Sequence, residues 1–200
     1  MHFPAFFQEI PAITSRDPLA DLLGAAVDGL IEYRYADAVK LAGHSCPTVA
    51  GAWLMARRGL AALYGEEPPE RGGIRVELRA AQNAGTAGVV GNVLSLITGA
   101  AGEGGFKGLG GNHARRDLLR FGVELPAELR LTRLDTGASV LLDYHPEAVP
   151  TDPEMAQLMA RVVGGVADPW ERIEFSQLWQ DRVRRILLEH GDDAELVVLR

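Results

Sequence analysis

Gly43-His44-Ser45-Cys46-Pro47-Thr48-Val49-Ala50-Gly51 holds the only cysteine of a 200-residue chain. Pro47 suits the first position of a helix, where its missing N–H costs nothing. Cys46 then falls at the cap, beside the positive end of the helix dipole, which favours thiolate over thiol. An imidazole and a thiol two positions apart read either as a soft-metal half-site or as an activated nucleophile. The helix that the motif opens runs from Pro47 to Tyr64, with Val49, Ala50, Trp53, Leu54, Leu60 and Leu63 on one side.

Upstream, Tyr33 to Ala42 reads as a short helix leading into the motif. Before it, Asp17-Pro18 is an N-cap followed by a favoured first residue. Leu19, Leu22, Leu23, Ala26, Val27 and Leu30 then repeat at helical spacing, so one helix is expected to reach Leu30. Downstream, Ile74 to Leu78 alternates apolar and charged residues as a strand does. Gly88 to Ile97 reads as a tightly packed helix whose small residues admit a close neighbour. Strands are expected at Leu118–Phe121, Leu129–Leu134 and Ser139–Asp143, the last two joined by a turn at Asp135-Thr136-Gly137. His145 to Pro153 is a boundary loop. Helices near Pro153–Val163 and Glu174–Glu189 follow, then a final strand at Leu196–Leu199. This order argues an α+β fold with a mixed sheet packed against helices and a helical C-terminal segment.

One domain of residues 1–200 is expected: an extension and helix over 1–34, a core over 35–145, and C-terminal helices over 146–200. Hydrophobic residues make up 47% of the chain, enough for a core, and 24% are charged. The net charge of −7, with no long basic tract, argues against nucleic acid. Residues 1–13 lack a basic start and are interrupted by prolines, so no signal peptide is expected. The apolar run near 84–101 is broken by glycines and Asn92 and reads as a core helix, not a membrane span. A single cysteine excludes an internal disulfide and suits the cytoplasm. Phe3, Phe6, Phe7 and Ile10 are expected to pack across a groove or onto a second subunit.

The residues Gly43 to Pro47, followed by Gly51, resemble the signature of the FmdE family. That family takes its name from an accessory component of formylmethanofuran dehydrogenase, a molybdenum- or tungsten-dependent one-carbon enzyme. The resemblance covers Tyr35 to Glu189: the Ile74–Leu78 strand, a helix ending in Leu96-Ile97-Thr98-Gly99, a glycine-rich loop, a strand group and a helix around Phe175, Trp179 and Arg182-Val183. It implies an FmdE-like α+β domain, a homodimer, and a metal near the His-Cys motif, usually zinc. Where the family carries a second cysteine and then an aspartate, this chain has Val89 and Asn92. Its glycine loop has Gly105-Phe106 in place of Asn-Leu.

The expected metal ligands are His44 and Cys46, with His113 as the candidate third, for zinc or another divalent transition metal. A structural zinc takes about four ligands and a catalytic one about three plus water. As a Cys–His nucleophile the site needs a third group to orient the base, and Asp37 is the nearby candidate. In Gly99–Gly111 seven of thirteen residues are glycine, and Lys107 lies among them with Arg115, Arg116 and Arg120 following. Such a loop forms an anion nest or is a tight packing connection. Asn83, Asn92, Lys107 and Asn112 are the candidate ligand-binding residues; Asn83 and Asn92 equally suit capping of backbone groups. Arg182, Arg184 and Arg185 read as a solvated face, and Trp53, Trp170 and Trp179 as core or interface anchors. The functional expectation is a metal-binding accessory or small-ligand-binding protein linked to redox or one-carbon metabolism. The alternatives are a metal-dependent enzyme on a small polar or anionic substrate, and a metal-free dimeric scaffold.

Overall fold

The computed structural model describes residues 2–200. Its elements, in order, are β1 (Ile13–Arg16), α1 (Pro18–Leu22), β2 (Leu30–Tyr33), α2 (Tyr35–Ala42), α3 (Pro47–Tyr64), β3 (Ile74–Leu78) and α4 (Ala87–Thr98). Then come β4 (Leu119–Phe121), β5 (Leu129–Arg133), β6 (Ser139–Tyr144), α5 (Met155–Val163), α6 (Pro169–Arg184) and β7 (Val197–Leu199). Five strands form one sheet in the order β4-β3-β5-β6-β7, while β1 and β2 pair separately. β3 and β4 run parallel and the other neighbours antiparallel, so the sheet is mixed. The fold is α+β, with helices packed on the sheet and a helical C-terminal segment, as the order of elements implied.

Alternation explains which face the helices cover. Ile74, Val76, Leu78, Leu129, Leu131, Val140 and Leu142 are buried together beneath α3 and α4. Register places Val76 beside Leu131, and Leu131 beside Val140, so one apolar row crosses three strands. Close approach needs glycine on the helices. A Cβ at Gly59 would stand 2.7 Å from Leu131 Cδ1, and one at Gly91 would strike the Phe121 ring. The small residues of α4 thus admit a side chain from β4.

The N-terminal segment packs onto this same core. Phe7 and Ile10 are buried, and Phe7 meets Tyr35 edge to face at 5.0 Å. Buried apolar residues from Phe7 to Val197 form one cluster.

The helix expected to reach Leu30 stops at Leu22. Gly24 and Gly29 take φ of 67° and 69°, and Asp28 takes φ 54°, so the chain reverses instead of continuing. A Cβ at Gly29 would collide with the Asp17 carbonyl, which closes the turn tightly. Leu30 therefore opens β2, and the apolar stripe Leu22, Leu23, Val27 and Leu30 is exposed. β1 had no sequence signal, because three of its four residues are polar.

The last helix starts at Pro169, earlier than Glu174. Asp168 caps it, accepting from Trp170 and Glu171 N–H at 2.8 and 2.9 Å. The three arginines near its end are not simply solvated. Arg182 donates to the Val149 and Pro146 carbonyls, Arg184 pairs with Asp181 and Glu189, and Arg185 pairs with Asp181. Trp53 is fully buried, whereas Trp170 is 78% exposed and so is no core anchor. Among the described residues no helix is long and apolar enough to cross a membrane.

Candidate functional site

α2 ends in a left-handed cap at Gly43, φ 76°, whose N–H donates to the Val39 carbonyl. The chain then needs only His44 and Ser45 to reach α3. Cys46 is the N-cap residue in extended conformation and Pro47 is the first helical residue, as the motif predicts. No side chain caps this end. The Thr48 amide therefore lacks an acceptor within the helix.

Three side chains from outside the motif bond its backbone, and a fourth bonds the Ser45 hydroxyl. Trp179 Nε1 and Gln180 Nε2, both on α6, donate to the Ser45 carbonyl at 2.9 and 3.2 Å. Tyr144 Oη, at the end of β6, donates to the Pro47 carbonyl at 2.9 Å. Tyr35 Oη and Ser45 Oγ share a hydrogen bond of 3.0 Å. Gly51 makes the Tyr144 contact possible, because a Cβ there would fall within the phenol ring. Proline and glycine four apart lie on one helix face, and Tyr144 lies across both. Burial is the main reason that both phenols, Tyr35 and Tyr144, titrate far above their ordinary range, so both stay neutral hydrogen-bonding groups. Replacing Trp179 by phenylalanine keeps an aromatic ring but loses the indole N–H with its bond and part of the packing, and should cost about 1 kcal/mol or more. Urea unfolding of the two proteins checks this.

A cavity of about 370 Å³ is lined by His44, Cys46, Pro47, Thr48, Thr86, Val89 and Trp179. Two others share Pro47 with it. One, of about 400 Å³, is walled by Met155, Met159, Trp179 and Arg182. The other, of about 480 Å³, includes Thr48, Thr86, Val90, Tyr144, Arg79 and Glu147. The start of α3 is thus the common floor of a branched cleft between α4, α5, α6 and the end of β6.

The expected metal site does not form among the described residues. Among the described residues no three His, Cys, Asp or Glu side chains converge to hold an ion. Zinc or another divalent transition metal therefore lacks the ligand set it needs. His44 and Cys46 do line one cavity, but His113 lies just after the glycine loop, at φ 60°, and is not part of that wall. Val89 lines the same cavity as Cys46, so an apolar group stands where the resemblance calls for a further thiol.

His44 is exposed and its Nδ1–H donates to the Ala42 carbonyl at 2.9 Å, leaving Nε2 as an acceptor. Cys46 is 8% exposed. The two make no hydrogen bond with each other among the described residues. Asp37 does not orient the imidazole; it accepts from the Arg34 N–H and from Lys40 at the start of α2.

The glycine loop is a tight connection. Arg115 N–H donates to the Phe106 carbonyl, Ala101 N–H to the Arg115 carbonyl, and a Cβ at Gly105 would meet the Arg116 backbone within 2.9 Å. Arg115 does not face a ligand: it is 6% exposed and pairs with Asp17 at 2.6 Å. Asn83, Asn92, Lys107 and Asn112 are all exposed and none lines the cleft around the motif. Residues the sequence reading missed as site groups are Thr48, Thr86, Tyr144, Met155 and Met159. Trp179 was expected only as an anchor, yet it forms a wall of two branches. No short-range pattern ties these to the motif, since they come from several different elements.

No protein-family model matches this chain, and no curated protein matches it.

Proposed function

We propose that this chain is an FmdE-like protein that binds a small organic ligand in the cleft at the start of α3 and acts as an accessory to redox or one-carbon chemistry. The observation that carries this reading is the shared cavity of His44, Cys46 and Val89. Val89 is the position where the resemblance calls for a second cysteine, and it lines the same cavity as the first. The resemblance carries the metabolic part of this reading. The cleft supports a ligand by its chemistry: a thiol, two threonine hydroxyls and an imidazole acceptor, beside an apolar branch of methionines and an indole. The motif is held by four side chains, three on its backbone and Tyr35 on the Ser45 hydroxyl, the pre-organisation that a binding site requires.

A small-molecule extract of cells, passed over the protein and desalted, tests this. Wild-type protein should retain defined compounds by mass spectrometry. Val89→Trp, which fills the cavity, should retain them about tenfold less, a loss of about 1.4 kcal/mol. Equal retention by both proteins, or none by either, would refute the site.

A further inference from the structure

We propose that the methionine branch of the cleft takes an α-amino acid with an apolar side chain, its carboxylate on Arg182 and its ammonium group on Asp152. This rests on the ligand reading above and names the class of ligand.

Two opposite charges line this branch without meeting. The cavity of about 400 Å³ is walled by Pro47, Met155, Ala156, Met159 and Trp179, and its charged groups are Arg182 and Asp152. Arg184 and Arg185, the near neighbours of Arg182 in sequence, both pair with Asp181. Arg182 pairs with no carboxylate among the described residues, Asp152 included. Its Nε donates to the Val149 carbonyl at 3.1 Å and its Nη2 to the Pro146 carbonyl at 2.8 Å. Those carbonyls orient the guanidinium and leave its charge uncompensated. Nη1 and one hydrogen of Nη2 remain, a fork that matches a carboxylate. Asp152 is oriented in a similar way. Its Oδ1 accepts from the Glu154 N–H at 2.9 Å, and its Oδ2 has no partner among the described residues.

The wall selects the rest of the ligand. Met155 is buried, Met159 reaches the surface, and the Trp179 ring is fixed by its bond to the Ser45 carbonyl. Thioether side chains adapt to their contacts, so this wall accepts apolar groups of different shape. A simple fatty acid would satisfy Arg182 but bring its anion towards Asp152, and an alkylamine would do the reverse. A zwitterion matches both charges, and neither is left unpaired when the apolar body excludes water.

Calorimetric titration with norleucine, hexanoate and pentylamine tests this, because the three probes share an unbranched tail. Norleucine should bind at least about tenfold more tightly than either of the others, each of which lacks one charged hydrogen-bonding group. Asp152→Asn keeps the Oδ1 acceptor for Glu154 and removes the charge, so the fold should be retained. It should weaken norleucine about tenfold and leave hexanoate no weaker. Hexanoate or pentylamine binding as tightly as norleucine, or norleucine unaffected by Asp152→Asn, would overturn the amino-acid assignment and leave the ligand reading standing. Failure of norleucine, methionine and phenylalanine alike to bind would also overturn it, and the extract experiment with Val89→Trp then decides the ligand reading separately.

Discussion

Replacing Asp17 by alanine should lower stability by about 3–5 kcal/mol, because it leaves buried charge unpaired. Asp17 is 4% exposed and accepts from Arg71 at 2.9 Å and from Arg115 at 2.6 Å. It also caps α1 through the Leu19 and Ala20 N–H groups, and that cap is worth about 1 kcal/mol more. Arg115 is the reason for the size of the effect. Only 6% of it reaches solvent, so its guanidinium cannot recover hydration when the carboxylate goes. At ~2–4 °C per kcal/mol for a chain of this length, the melting temperature should fall by about 10 °C or more. Asp17→Asn retains a capping oxygen but not the charge, and should show most of the same loss. A variant within about 0.5 kcal/mol of wild type would mean that the two arginines do not depend on Asp17.

The same carboxylate sets a pH dependence. Burial alone would raise the Asp17 pKa, but the Arg71 hydrogen bond and the Arg115 charge outweigh it and hold it below the ordinary carboxylate range. Its contribution is therefore complete above the unfolded carboxylate pKa and disappears as the pH falls through the depressed folded value. Wild-type protein should lose stability from about pH 5 downward, and Asp17→Ala should show a shallower acid limb. Denaturant midpoints measured across that window compare the two slopes.

Gly51→Val should cost about 2–4 kcal/mol, combining overpacking against a partly buried ring with a lost hydrogen bond. The Tyr144 ring occupies the space that any Cβ at position 51 needs, and its hydroxyl holds the Pro47 carbonyl. Moving the ring therefore also releases the first turn of α3. Removing the ring removes the conflict, so the double variant Gly51→Val, Tyr144→Ala should cost clearly less than the sum of the single variants. Additive losses in that double-mutant cycle would show that Gly51 serves helix geometry and not the tyrosine.

Much of the frame was legible because its signals are local. Asp17-Pro18 and Cys46-Pro47 mark helix starts, and Ile74–Leu78 alternates with period two. The limits of α3 and β3 follow directly from these cues. The failure at residues 23–30 is also physical. A leucine stripe at helical spacing continues through Gly24, yet a left-handed residue there ends the helix whatever the stripe suggests. The site was half legible. His44 and Cys46 share a cavity, but Thr86 and Trp179 complete its wall and Tyr144 and Met155 line the two cavities beside it, and only the tertiary fold brings these together. His113 and the glycine loop looked like site residues by composition. Backbone bonds to Phe106 and Arg115 show instead that the loop is packed on itself.

The parallel pairing of β3 with β4 also governs how fast this protein reaches its folded form. Val76 must find Leu119, with α4 and the entire glycine loop between them. Antiparallel β3 and β5 likewise pair across a long span. The entropy of closing such loops is lost before the apolar row on the sheet can form. Chains dominated by distant pairings fold in roughly milliseconds to seconds, far slower than helical bundles. During that interval α3 can form locally, from its own sequence, while the strands that pin the Cys46 turn are still apart. The helix should therefore precede the cleft, and stopped-flow far-ultraviolet signal should rise before tryptophan fluorescence reports a closed wall.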